Sequence, residues 1–130
     1  MKRRYEALVH GLVEKDEFTI TAPIGRKNTS IIEREVREDG QFAETEVRVL
    51  KRIRDYSHIS LQLNTGRTHQ IRVHLAHIGH PLVGDDLYGG KRERLDRQAL
   101  HCTELELIHP VSGEKLFFSS SLNRDMQALV

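Results

Sequence analysis

Alternating apolar and polar positions lay out most of this chain as strands. From Tyr5 to Val13, the positions Ala7, Leu8, Val9, Leu12 and Val13 read as a largely buried strand. Phe18 to Ala22 alternate until Pro23, which has no N–H to offer a ladder, stops them. Residues 24–44 are polar, carry Gly25 and Gly40, and predict loop with one edge strand around Ile31 to Val36. Thr45 to Ile53 and Ile59 to Leu63 predict two strands joined by a turn at Asp55-Tyr56-Ser57. In the second, Ile59, Leu61 and Leu63 face one way and Ser60 and Gln62 the other.

After Gly66 the period changes. Ile71, Leu75 and Ile78 fall at i, i+4 and i+7, predicting a helix with Thr68 as N-cap and Gly79 with Pro81 at its end. A glycine-rich loop, Gly84-Asp85-Asp86-Leu87-Tyr88-Gly89-Gly90, and a basic stretch follow. Leu105 and Leu107 then alternate with Glu104 and Glu106 in a strand that turns at 109–113 and returns through Leu116-Phe117-Phe118. A short helix is expected over Asn123 to Leu129. The expected class is α+β, a mixed, mainly antiparallel sheet with a central helix, in one domain over residues 1–130.

Composition narrows this little. A length of 130 residues with 38% apolar and 30% charged positions suits one folded domain rather than a disordered chain. No apolar run approaches the roughly 18 residues of a membrane span, and the N-terminus lacks a signal-peptide core, so a cytoplasmic protein without a membrane partner is expected. The single cysteine, Cys102, is expected as a small core residue. Net charge is only +1, yet fourteen of the twenty basic residues are arginine, clustered at Lys2-Arg3-Arg4, Lys51-Arg52-Ile53-Arg54 and Lys91 to Arg97. Arginine is the better bidentate phosphate ligand, although such clusters are as often solvated faces.

The helix segment THQIRVHLAHIGH carries the candidate chemistry, with His69, His74, His77, His80 and Arg72. At about 100° per residue, His69 and His77 lie about 80° apart and His74 about 140° from His69, so no three converge on a metal. The H-E-x-x-H spacing and the G-x-S-x-G elbow are both missing, and no cofactor or metal is expected. Arg72 sits at the border of the apolar stripe, about 60° from Leu75, where a charge needs a carboxylate or phosphate partner. Arg67 precedes the helix, where the dipole favours an anion. An anion site and two surface ion pairs both fit these residues.

Thr65-Gly66-Arg67-Thr68-His69-Gln70-Ile71-Arg72-Val73-His74-Leu75, Gly79-His80-Pro81-Leu82-Val83-Gly84-Asp85 and Leu87-Tyr88-Gly89-Gly90 closely resemble the signature of the RluA-type family of RNA pseudouridine synthases. The likeness extends to Lys2 through Gly11, Pro23-Ile24-Gly25-Arg26, Ala43-Glu44-Thr45, Arg97 through His101 and His109-Pro110, in order along nearly the whole chain. The resemblance implies isomerisation of uridine in structured RNA, ribosomal rather than transfer RNA, after the target nucleotide is flipped out. It implies catalytic roles for Tyr5, stacked on the base, and Arg72, paired with a catalytic aspartate. It also places Arg67, His69, Gln70 and His74 among the RNA-binding residues.

The family's aspartate lies in a segment like H-R-L-D-x-x-T-S-G, which does not occur in these 130 residues. Arg94-Leu95-Asp96 continues into Arg97-Gln98-Ala99-Leu100-His101 and aligns with a later motif, so Asp96 is not the nucleophile, while Asp85 and Asp86 read as Asx-type turn residues. The expectations that follow are the C-terminal portion of a catalytic domain, inactive alone, with Arg72 lacking its carboxylate and exposed sheet edges inviting self-association. The alternative expectation is a non-catalytic RNA-binding module of the same fold.

Overall fold

The computed structural model describes residues 2–30, 32–92, 95, 97–108, 111–119, 122, 124–127 and 129. The expectations placed on Ile31, Arg94, Asp96, His109, Pro110 and Asn123 lie outside these residues.

Strands β1 (Lys2–His10), β2 (Glu17–Thr21), β3 (Ile24–Arg26), β4 (Arg34–Val36), β5 (Glu44–Ile53), β6 (Tyr56–Leu63), β7 (Leu100–Ile108) and β8 (Lys115–Ser119) accompany helices α1 (Gln70–His77) and α2 (Arg124–Gln127). Six strands form one sheet in the order β2-β5-β6-β1-β7-β8, and β3 with β4 makes a separate hairpin. Every strand pairing among the described residues is antiparallel, in keeping with the α+β reading.

The unbroken run Ala7-Leu8-Val9 reflects the position of β1 inside the sheet, covered on both faces. Ala7 and Val9 pack with Ile59, Leu61 and the α1 residues Ile71 and Leu75, whereas Leu8 packs oppositely with Tyr56, Val83, Ala99 and Met126. Leu8, Ile59, Leu61, Leu75 and Leu82 are fully buried, each contributing about 1.5–3 kcal/mol of transfer free energy. Residues 81–83 and 99 are laced to β1 by backbone bonds, Val83 N–H to Leu8 O at 2.9 Å and Leu8 N–H to Ala99 O at 3.0 Å.

Four local expectations change. Arg54 adopts φ 53°, which tightens the β5–β6 turn so that β6 starts at Tyr56. The expected single edge strand is a hairpin, β3 with β4, pairing Ile24 with Val36 and Arg26 with Arg34. The N-cap of α1 is His69 in the left-handed conformation (φ 56°, ψ 22°), not Thr68, and no side chain caps it. Cys102 is exposed rather than in the core, because α1 packs towards β4 and β5 and leaves this part of β7 uncovered.

Candidate functional site

The helix α1 is seated by a buried relay of hydrogen bonds whose direction the chemistry fixes. Thr65 Oγ1 accepts from Glu44 N–H (2.9 Å) and donates to Gln70 Oε1 (2.7 Å), which also accepts from Arg67 N–H (3.0 Å). Gln70 Nε2 donates to Glu44 O and to Thr45 Oγ1, both at 2.9 Å. The one Thr45 hydroxyl proton then goes to His74 Nδ1 (2.8 Å), and His74 Nε2 donates to Ala22 O (2.8 Å), a group that can only accept. His74 is therefore the neutral Nε2–H tautomer. Burial pushes its pKa below the ordinary histidine range, with the Ala22 carbonyl opposing and His77 adding.

This geometry corrects the RNA-facing expectation for two residues. Gln70 is 3% exposed and His74 is 0% exposed, and their side-chain polar atoms are spent inside the relay. Sequence periodicity misses them because glutamine and histidine count as polar, although a closed chain of partners makes their burial inexpensive.

Arg72 lies one residue past the apolar Ile71 and projects onto the loop after the helix. Its Nε donates to Asp85 Oδ2 at 2.8 Å and its Nη2 to Asp85 Oδ1 at 2.9 Å, a bidentate clamp. The side chains are 14% and 2% exposed. The Tyr88 ring lies 4.8 Å from the guanidinium carbon, close enough for a cation–π contact. The hydrogen bond it donates to Asp85 holds the Arg72 pKa above its already high ordinary value, against burial. Arg72 is thus not without a carboxylate: Asp85, read as a turn residue, is a partner from within the chain, distinct from the aspartate of the segment H-R-L-D-x-x-T-S-G. Asp86 points elsewhere, 3.5 Å from Arg92.

Two glycines make the clamp possible. Gly84 has φ +82°, and a Cβ there would meet Arg97 O at 1.8 Å; one on Gly90 would meet Leu82 O at 2.0 Å. Gly90 N–H closes the loop onto Asp85 O at 2.7 Å. A side chain at either position would push the loop, and Asp85 with it, away from Arg72.

His69 reaches the same cluster. Tyr88 Oη accepts from Arg34 N–H (2.9 Å) and has one proton to give, which goes to His69 Nδ1 (2.6 Å). Burial, then Arg72 and Arg34, push the His69 pKa down, Asp85 opposing. Arg67 donates Nε to Phe42 O at 2.7 Å, leaving its terminal nitrogens without a partner among the described residues. His80 Nδ1 meets His10 O at 2.8 Å, so the helix histidines scatter rather than converge. Among the described residues no three His, Cys, Asp or Glu side chains are grouped to hold a metal.

Tyr5 is partly buried against the apolar cluster shared with α1, opposite Leu61 on β6 and Cys102 on β7. The β1–β7 register shifts between Arg4 and Tyr5, where the extra residue, Thr103, bonds back to Arg4 O at 3.3 Å. Bulges of this kind re-aim a side chain. Tyr5 stands where the cover of α1 gives way to the exposed surface at Cys102.

The clamped arginine stands in the segment T-G-R-T-H-Q-I-R-V-H, and the RNA pseudouridylate synthase model matches residues 1–77, which include it. The chain belongs to the RNA pseudouridine synthase family. The uncharacterised RNA pseudouridine synthase YjbO of Bacillus subtilis is 52% identical over 130 residues, 100% of this chain and 46% of that protein. The ribosomal large subunit pseudouridine synthase D of Nitrosomonas europaea is 46% identical over 139 residues, 100% of this chain and 40% of its own length. The human RNA pseudouridylate synthase domain containing 1 superposes with a TM-score of 0.82 at 30% identity, covering 92% of this chain and 54% of that one. The chain spans less than half the length of these curated pseudouridine synthases. The RluA-type resemblance and the fold class are borne out together.

Proposed function

We propose that this chain supplies the tyrosine- and arginine-bearing part of an enzyme that isomerises uridine to pseudouridine in RNA, with ribosomal RNA as the substrate. In that reaction the N1–C1′ bond of the nucleotide breaks, the uracil turns, and C5 bonds to C1′ as the C5 proton leaves and N1 takes one up, so the composition is unchanged. The observation that carries the reading is the buried clamp that fixes the motif arginine. Asp85 holds the Nε and Nη2 edge of Arg72, while Nη1 has no hydrogen bond among the described residues and faces a second carboxylate in the working enzyme. Tyr5, packed on one side and open on the other, offers its ring to the flipped base. Arg67 and His69 lie at the helix entrance on the RNA side, and Gln70 and His74 serve by holding that helix in place. The ribosomal assignment draws on relatives named for the large ribosomal subunit.

The test is tritium release from RNA labelled at C5 of uridine. The 130 residues alone are expected to release none, and the chain joined to a segment carrying H-R-L-D-x-x-T-S-G to release it steadily. Turnover by the isolated chain overturns the need for that aspartate. Failure of the joined protein, with RNA binding retained, leaves the non-catalytic RNA-binding module as the better reading.

A further inference from the structure

Seven of the thirteen described arginines are matched by acids: Arg4 by Glu104, Arg37 by Asp39, Arg48 by Glu17, Arg52 by Asp16, Arg72 by Asp85, Arg92 by Asp86 and Arg97 by Asp125. Three that are not line a single cleft. Arg26 at the end of β3, Arg34 at the start of β4 and Arg67 before α1 border a space of about 220 Å³, together with Gly40 and Thr68. No carboxylate pairs with any of the three among the described residues. Asp39, the acid on the rim, is taken by Arg37, Nε to Oδ1 at 2.8 Å and Nη2 to Oδ2 at 3.2 Å.

The arrangement is costly for a fold on its own. Arg26 and Arg34 are direct cross-strand partners, and like charges opposite one another destabilise a hairpin. One step along, the same hairpin shows the ordinary solution, with Lys27 on Glu33 at 3.0 Å. Arg34 spends Nη1 on long contacts, 3.4 Å, to the Ile32 and Glu33 carbonyls, and Arg67 spends only Nε on Phe42 O. Several of their N–H donors thus remain without a partner among the described residues, and the cleft is bordered by Arg67 and Thr68 at the entrance to α1, where the helix dipole adds positive potential.

We propose that this cleft seats a backbone phosphate of the RNA strand, with Arg26, Arg34 and Arg67 as its donors. The inference rests on the RNA reading above and deepens it. An anion there relieves the repulsion between Arg26 and Arg34, so the hairpin settles when the strand arrives. Tyr88 joins the cleft to the Arg72 clamp, since its hydroxyl accepts from Arg34 N–H and its ring covers Arg72. A phosphate held in the cleft fixes the strand beside the residues proposed to act on the base, giving position rather than sequence.

The experiment measures binding of a short single-stranded, uridine-rich RNA to the 130-residue chain across a potassium chloride series. Arg26→Gln with Arg34→Gln is compared with a variant of equal charge loss elsewhere, Arg48→Gln with Arg97→Gln. For single strands each phosphate given up flattens the plot of log affinity against log salt by about 0.7, so the cleft variant, which gives up one, loses about 0.7 in slope. The control keeps its slope. Relief of the opposed charges also leaves the thermal midpoint of the cleft variant unlowered. Should that variant unfold, Arg26→Gln alone, at an exposed position whose side chain has no partner among the described residues, is expected to flatten the slope in the same direction and by less. An unchanged slope in the cleft variants, an equal loss in the control, or no RNA binding by the chain overturns the cleft. The tritium assay on the joined protein judges the pseudouridine reading separately.

Discussion

Of the three bidentate arginine–aspartate clamps among the described residues, two share closely matched distances and differ in burial. Arg72 meets Asp85 through Nε and Nη2 at 2.8 and 2.9 Å, and Arg97 meets Asp125 through the same atoms at 2.9 and 2.8 Å. The first pair is 14% and 2% exposed, the second 39% and 44%. Distance therefore cannot rank them. In the buried pair, water cannot replace a lost partner, so each charge depends on the other; in the surface pair, solvent stands ready for both. The buried clamp fixes an arginine in place, and the surface clamp tethers α2 to the segment before β7.

The largest effect follows from breaking the buried clamp. Arg72→Ala leaves a 2%-exposed carboxylate unpaired, and a loss of about 3 kcal/mol is expected in urea unfolding, the low end of the range for buried pairs because Arg72 keeps some solvent contact. The double variant Arg72→Met, Asp85→Leu should recover most of that stability, since neither charge remains. If the double variant is no better than the single, burial of charge is not what separates the two clamps. In the joined enzyme both should lack activity, as should Arg72→Lys, which keeps the charge but cannot make the planar two-point contact.

Next comes the relay beneath the clamp. Thr45→Val removes the hydroxyl that accepts from Gln70 and donates to His74, leaving two buried groups short of a partner, for an expected cost of about 1–3 kcal/mol. The relay also predicts acid sensitivity. The folded-state pKa of His74 lies below its ordinary 6.5, so between the two values the unfolded chain binds more protons than the folded one. Its contribution to stability is complete above about pH 6.5 and declines as pH falls through the folded value, at no more than about 1.4 kcal/mol per pH unit. His69, lowered for the same main reason, acts in the same direction. Urea midpoints at a series of pH values should fall on acidification, and less so in His74→Gln. Equal acid sensitivity in that variant would reassign the effect to other groups.

Much of this was legible in the sequence, for reasons that show where legibility stops. Alternation placed β5 and most of β6, and the continuous Ala7-Leu8-Val9 run placed a strand buried on both sides, because each pattern is a local record of which faces meet water. The helical wheel likewise put Arg72 at the edge of the core. Its partner was hidden because Asp85 lies 13 positions away, beyond a loop whose path depends on what a Cβ at Gly84 or Gly90 would strike. No periodicity carries that information. Gln70 and His74 were hidden differently: their burial depends on Thr45 in β5 and on Ala22 in the connection between β2 and β3. The cleft needs Arg26 and Arg34 to face each other across a hairpin whose second strand was expected alone.

The smallest effect belongs to the surface clamp. Arg97→Gln removes a pair with ideal geometry, yet water solvates both charges before and after, and Asp125 is exposed enough that the lowering of its pKa by Arg97 reflects a local, screened contact. The expected outcome is a urea midpoint scarcely different from the parent, with any difference shrinking as salt is added. The buried clamp should respond far less to salt, because its charges lie out of reach of counterions. A salt-insensitive loss in Arg97→Gln comparable to that of Arg72→Ala would show that α2 depends on its clamp as the loop of Asp85 does. Burial would then no longer explain the difference between the two pairs, and the tether of α2 would have to act through Met126, the buried residue it helps to hold in the core.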